Sequence, residues 1–306
     1  MKRFLTNLSV LLCLIIICAT CAFATTTLIP GGQVIGLNLA DGTVTVVRVE
    51  NESSPLKPGD KLLSLDSTPI RQVSDVKDNL KNEPQTLSVS RGGKTLRLQV
   101  QGEKLGVYLR EGTSGLGTVT YYNPENGTFG ALGHGVCKSD GTLTPMHEGQ
   151  VYPAEIFSVK SGKAGAPGQL MGSLTNQAPI GTLQKNTHLG IFGKITPICA
   201  EPLPVGTKDS VQPGKATIYA TVGAEGLQEY SVELLKIYPK GESSRNMLLK
   251  ITDQRLLTAT GGIVQGMSGS PIIQNGHLIG AVTHVLVNDP TTGYGIFIEN
   301  MLDAAA

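Results

Sequence analysis

The chain contains no tryptophan, and aromatic residues make up only 5% of its 306 positions. Charge is scarce as well: Asp, Glu, Lys and Arg together reach 16% and balance to a net +1. So small an excess offers no basic face to a phosphate backbone and argues against nucleic acid as the main partner. No Cys/His zinc spacing, P-loop or dinucleotide fingerprint occurs, and neither a metal nor a cofactor is expected. Of five cysteines, Cys13, Cys18 and Cys21 fall near the N-terminus, leaving Cys137 and Cys199. An oxidising compartment lets two cysteines pair, but nothing in the sequence brings these two together.

Glycine, by contrast, is abundant: 38 residues, against a usual share of about 7%. Many glycines between short alternating apolar runs point to a mainly β chain, and its length suffices for two domains.

Residues 1–24 read as a signal peptide or membrane anchor. Lys2 and Arg3 form a basic start, residues 8–22 are almost wholly apolar, and Ala22-Phe23-Ala24 fits a small-x-small cleavage site. The apolar stretch is just short of the ~20 residues that a span needs, so export is expected with cleavage or anchoring as its two outcomes.

The most informative segment is Gly261-Gly262-Ile263-Val264-Gln265-Gly266-Met267-Ser268-Gly269-Ser270-Pro271. A serine hydroxyl is a poor nucleophile unless its surroundings activate it and stabilise the oxyanion it creates. Gly266 and Gly269 permit positive φ, so successive N–H groups can converge on one point. Ser268 is the candidate nucleophile, with the backbone N–H groups of Gly266 and Ser268 as oxyanion donors. The plainer alternative is a glycine-rich turn between strands. Ser270 is the fallback nucleophile, although Pro271 restricts its backbone.

A base is available at Gly133-His134-Gly135, since imidazole titrates near neutrality. Of the other histidines, His147, His188 and His277 lie in polar, turn-like sequence. His284 follows an apolar run and is the one rival, read here as a strand-end histidine lining the cleft. Three aspartates lie between His134 and Ser268. Asp140 and Asp209 sit in turn sequences, whereas Asp253 ends the apolar run 247–252 and suits an orienting carboxylate. It equally suits a helix N-cap for residues 254–257. Cys137 stands close to His134 and is a weaker candidate nucleophile than the glycine-framed serine.

The stretch 250–302, together with residues 130–135, resembles the SpoIVB peptidases, the sporulation serine proteases of endospore-forming bacteria. The matching residues include Thr252-Asp253, the whole run from Gly261 to Pro271, Gly280-Ala281-Val282-Thr283-His284, Asn288-Asp289-Pro290 and Gly293-Tyr294-Gly295. The resemblance implies a catalytic triad of His134, Asp253 and Ser268 and a chymotrypsin-like double β-barrel. One departure is that Asp253 would come from the second barrel, not the histidine's own. Another is Met267, which stands where many relatives of that larger class carry aspartate.

Residues 28–102 resemble a PDZ domain, leaving 103–306 as the peptidase domain. Ile29, Gly31, Gly32 and Val34 look like a carboxylate-binding loop with its strand, and Pro58-Gly59-Asp60 like the turn of bacterial PDZ modules. Val73, Val76 and Leu80 follow helical spacing with Ser74 as a cap. Such a module binds an extended peptide by β-augmentation; the alternative is a scaffold that docks without binding. In the peptidase part, residues 116–122 and 128–132 form a hairpin that delivers His134, and residues 162–172 read as a flexible loop beside the cleft.

The resemblance implies an exported serine endopeptidase acting between the two membranes around the forespore. Its protein substrate would be the regulatory subunit of an intramembrane metalloprotease that processes a sigma-factor precursor. It also implies self-cleavage near the N-terminus; a PDZ peptide ligand, with the chain's own N-terminal segment as one candidate, and membrane association are further expectations. The competing readings are a PDZ adaptor with an inactive protease body and a general envelope quality-control protease.

Overall fold

The computed structural model describes residues 26–51, 54–138, 140–175, 178–196, 200–240 and 244–306. The leader at 1–24 and Cys199 lie outside the described residues. The chain opens with β1 (Thr27–Pro30) and β2 (Val34–Val49). β3 (Lys61–Leu65), β4 (Thr68–Pro69), α1 (Val73–Asn79), β5 (Gln85–Arg91) and β6 (Lys94–Val100) follow, before β7 (Val107–Tyr122) returns beside β2. Next come β8 (Thr128–Ala131), β9 (Glu148–Lys160), β10 (Gln169–Leu174), β11 (Gly181–Thr187), β12 (Gly190–Ile195) and the short β13 (Leu203–Pro204). The C-terminal part holds β14 (Gly214–Thr221), β15 (Leu227–Ile237), β16 (Met247–Ile251), α2 (Gln254–Thr260), β17 (Pro271–Gln274), β18 (His277–Leu286), β19 (Asp289–Phe297) and α3 (Ile298–Ala305).

Strands β14, β15, β16, β19, β18 and β17 pair in that order around a closed barrel. The first half of β2 closes a second ring through β7, β8, β12, β11 and β9. Closure leaves no edge exposed, which suits a chain of short alternating strands. In β14, Ala216, Ile218 and Ala220 are buried at every second position while their neighbours are not. They join Val232, Leu249, Ile272 and Val282 in the core of the C-terminal barrel. Ile35, Leu37, Val119, Phe129, Val151 and Ile191 fill the N-terminal barrel. Each such fully buried aliphatic side chain stabilises the fold by about 1.5–3 kcal/mol. Leu28, Tyr121, Leu278 and Ile296 form a further apolar layer, capped by Ile298 and Met301 at i and i+3 on α3.

The small module differs from the one expected. β2 and β7 are each continuous, yet each serves both the N-terminal barrel and the small module. Residues 34–39 and 113–118 pair inside the N-terminal barrel; residues 44–49 and 107–111 carry the same hydrogen-bonded network out into the small module, in the order β7-β2-β3-β5-β6. Between the halves the register slips at Leu39/Val44, and Gly112 sits at φ +65°. A Cβ there would lie 1.8 Å from the Leu39 carbonyl oxygen, so the crossover requires glycine. The module therefore spans roughly 43–111, not 28–102, and residues 27–39 belong with the peptidase barrels. Its own core is Val44, Val46, Leu62, Leu65, Val76, Leu87 and Val89. Gln72, not Ser74, caps α1, with the Asp75 carboxylate accepting from the Arg71 and Gln72 N–H groups. Asp60 of the Pro58-Gly59-Asp60 turn is fully buried, and Arg91 holds it through bonds of 2.7 Å to both carboxylate oxygens.

Candidate active site

His134 follows β8 on a tight reversal. Leu132 and Gly133 take consecutive positive φ values of 70° and 67°. A Cβ on Gly133 would come within 2.8 Å of Thr283 Cγ2 on β18, so the histidine loop lies directly against the C-terminal barrel. On the other side, a Cβ at Gly135 would meet the Thr187 carbonyl oxygen at 2.4 Å. The flanking glycines thus answer to close packing of the protein.

Ser268 lies in the loop between α2 and β17. Gly266 and Gly269 take φ values of +101° and +100°, and a Cβ at Gly269 would fall 2.1 Å from the Thr118 carbonyl oxygen. The loop is pinned by Met267 N–H to Val264 O, Gly269 N–H to Val282 O and Ser270 N–H to Met267 O. Thr118 adds two bonds from the N-terminal barrel: its hydroxyl donates to Gly266 O at 2.6 Å and its N–H to Ser268 O at 3.3 Å. Nothing in the sequence singled out Thr118, which reads as one more alternating strand residue. The N–H groups of Gly266 and Ser268 donate to no acceptor among the described residues. Ser270 is fully buried, out of reach of any substrate.

Between the barrels runs a cleft of about 520 Å³. His134 and Cys137 border it from one barrel, Ser268 and His284 from the other, and Leu116, Pro167, Ile263, Val264 and Val285 supply apolar wall. Pro167 belongs to the segment expected as a flexible loop; instead Lys163 bridges Ala166 there and β10 begins at Gln169. In the resting geometry the Ser268 hydroxyl donates to the Thr283 carbonyl oxygen at 2.8 Å, and His134 Nδ1 lies 3.0 Å from the Gly135 carbonyl oxygen. A ring whose Nδ1–H is held by a carbonyl keeps its Nε2 lone pair free to take a proton. Burial pushes the His134 pKa below its ordinary 6.5, against a smaller upward pull from the Gly135 carbonyl. The base is therefore neutral at neutral pH.

The Asp253 side chain has partners of its own in the resting geometry. Its carboxylate caps α2 by accepting from Arg255 N–H at 2.9 Å, pairs with the Arg255 guanidinium at 2.8 Å and accepts from Ser231 N–H. Arg255 above all holds its pKa down at about 2. Neither Asp140, bonded to Thr142, nor Asp209, in a short helical turn, reaches His134. His284 does: the two imidazole centroids are 5.5 Å apart with planes inclined by 44°.

The expected carboxylate-binding residues also lie elsewhere. Ile29 is buried in the N-terminal barrel core and Val34 in that of the C-terminal barrel. Gly31 and Gly32 spend their N–H groups on the carbonyls of Thr120 and Val119. A strand–Gly-Gly–strand pattern fits either a binding loop or a barrel corner, and only the pairing partners decide. The small module has a groove of its own, about 510 Å³, between α1 and residues 103–109 of β7 and the turn before it. Val73, Val76, Leu80, Leu105, Val107 and Leu109 line it. Among the described residues, the 107–111 segment pairs only with β2, so its other edge is open towards α1.

The sequence pattern of the family described as SpoIVB peptidase S55 matches residues 101–302, well over half of the chain. No curated protein sequence matches. Among solved structures, the chain is similar to the active form of the Rv3671c protease from M. tuberculosis, at 14% identity and TM-score 0.38, over 62% of this chain and 72% of that one. The HtrA-type protease AlgW with a decapeptide is similar over 89% of this chain and 63% of that one, at 12% identity and TM-score 0.40.

Proposed function

The chain belongs to the SpoIVB peptidase S55 family and is a serine endopeptidase, and from that premise we propose that Ser268 is its nucleophile and His134 its general base. His134 Nε2 takes the hydroxyl proton as Ser268 Oγ attacks a peptide carbonyl, and the Gly266 and Ser268 N–H groups receive the oxyanion. The observation that carries this reading is that a serine and a neutral histidine, each from a different barrel, border one cleft beside two unengaged backbone donors. Attack requires the Ser268 hydroxyl to leave Thr283 O and turn towards His134, and a bound substrate supplies that reorganisation. Among the described residues the cleft wall carries no carboxylate and no lysine or arginine, so it accepts an uncharged, apolar side chain beside the scissile bond.

The biological setting is part of the same proposal. The leader directs export, and the enzyme cleaves a membrane-associated regulatory protein during sporulation, releasing intramembrane processing of a sigma-factor precursor. It also shortens itself. The small module is a PDZ-like reader of extended C-terminal peptides, with the site at the groove of residues 73–80 and 103–109. The chain's own N-terminal segment is one such ligand candidate. Incubating the full chain with a fluorophosphonate and mapping the adduct by peptide mass spectrometry tests the chemistry. Labelling at Ser268, lost in Ser268→Ala, is expected. An adduct elsewhere, or a Ser268→Ala protein that still shortens itself, removes the assignment.

A further inference from the structure

The cleft that holds Ser268 and His134 does not end at the oxyanion loop. Leu116, Gln265 and Gly266 border it and also border a second pocket of about 430 Å³. Leu170, Met171 and Leu174 of β10 form the far wall of that pocket, and among the described residues its lining carries no charged side chain. Leu170 N–H donates to the Gln265 carbonyl oxygen at 2.8 Å, and a Cβ at Gly266 would lie 3.0 Å from Leu170 Cδ1. Strand β10 therefore rests directly on the oxyanion loop. Met171 stands at the rim with 40% of its surface exposed. Apolar surface opening from a cleft is where a ligand side chain gains most from burial.

One edge of β7 is open at the same place. Thr118 turns its N–H to Ser268 O and its carbonyl to Leu132 N–H, away from β2. The pairing of β2 with β7 runs without a slip from Val34 opposite Thr118 to Leu39 opposite Thr113. The antiparallel alternation then gives Leu116 the same outward orientation as Thr118. Strand β8 pairs with β7 only from Val119 onwards. The Leu116 N–H and C=O thus meet no backbone partner among the described residues. An unpaired strand edge is a template for an extended peptide. Leu116 lies two residues from Thr118, about 7 Å along the strand, and Thr118 is bonded to the backbone of Ser268.

We propose that the second pocket receives the second substrate residue after the scissile bond. That residue lies as a strand against Leu116, with an uncharged, apolar side chain between Leu170 and Met171. This deepens the reading of Ser268 as nucleophile and rests on it. The wall of Ile263, Val264 and Val285 takes the residue that supplies the attacked carbonyl. From that carbonyl the chain runs the other way, past Gly266 and over Leu116, so the second pocket falls on the side of the leaving amine. When the acyl-enzyme forms, the peptide C–N bond breaks, the amine takes the proton from His134, and this segment departs with it.

The test compares full-length wild type with Met171→Lys and Met171→Glu. Each is incubated with a library of peptides from a digested proteome, and the cut sites are read by mass spectrometry. Wild type is expected to enrich Leu, Ile, Met and Phe at the second residue after the cut. Matched synthetic peptides with Leu or Asp there should differ in kcat/KM by about tenfold or more. Met171→Lys should admit Asp and Glu at that position and Met171→Glu should admit Lys and Arg, with the preference before the cut unchanged. Damage to the fold would act on both variants alike, whereas recognition separates them by charge. A wild type without selectivity at that position, or one profile shared by all three proteins, overturns the proposal. So does a change confined to residues before the cut, which puts the pocket on the acyl side. Fluorophosphonate labelling of the same wild-type preparation keeps two failures apart. With Ser268 labelled, a flat profile counts against the pocket alone; with another residue labelled, the nucleophile reading fails and this inference with it.

Discussion

At the scale of single residues, Ser268 and Ser270 separate cleanly. Ser268 borders the cleft, while Ser270 is sealed in the barrel wall with its hydroxyl unpaired. Ser268→Ala should abolish peptide cleavage, and Ser270→Ala should retain it, with stability unchanged or slightly raised by removal of an unsatisfied polar atom. Loss of cleavage in Ser270→Ala alone would contradict this. Asp253 is a helix cap in an ion pair, so Asp253→Ala should cost about 1 kcal/mol of stability, or about 2–4 °C in Tm. A moved acid limb of labelling in the same variant would place Asp253 beside the base as well. The nucleophile loop and the Gly133-His134-Gly135 turn were legible because few other uses require those glycines around those side chains. The third residue was not. A carboxylate that caps a helix and one that orients a histidine look the same in sequence.

The pH dependence belongs to the same scale. Burial lowers the His134 pKa below 6.5, so the free base persists into mildly acid solution. The acid limb of the second-order labelling rate should be centred below pH 6.5, and a limb centred at or above 6.5 would contradict the burial argument. Stability has the matching sign. The unfolded chain takes up protons on His134 and His284 near 6.5, whereas the folded chain resists, His284 to about 4. Their neutral burial therefore weakens the fold as pH drops from 6.5 through this window.

At the scale of elements, strand identity was readable and strand partnership was not. The hairpin expected from residues 116–122 and 128–132 forms from β7 and β8, and the apolar run 247–252 falls on β16. A period of two tells which face a residue takes, but not which neighbour the strand finds. Hence β2 and β7, each one uninterrupted strand shared by the barrel and the small module, hid the module's limits, and the proposed binding edge at 107–109 fell on the other side of the expected boundary. That edge makes its own prediction. A fluorescent peptide with an apolar C-terminal residue and a free carboxylate should bind the full chain, and amidation or Leu80→Glu should weaken it at least about tenfold. Equal binding of the amidated peptide would leave the groove as a docking surface without a carboxylate reader.

For the whole molecule, the arrangement divides labour. Two closed barrels, each with its own core, hold the histidine and the serine on facing surfaces, so the site exists only where they meet. Gly133 against Thr283 and Thr118 against the Gly266 and Ser268 carbonyls are the contacts that fix this meeting. The small module grows out of the same two strands that wall the N-terminal barrel. Mainly β architecture was foreseeable from abundant glycine and alternating apolar runs, whereas the closing of each ring depended on long-range pairing. The most direct measurement is a crystal structure of the full chain after reaction with a peptidyl phosphonate. The account predicts phosphorus bonded to Ser268 Oγ, a phosphoryl oxygen about 2.7–3.1 Å from the Gly266 and Ser268 nitrogens, and the His134 ring turned to the adduct. Phosphorus on another side chain, or an oxygen pointing away from that backbone pair, would contradict it.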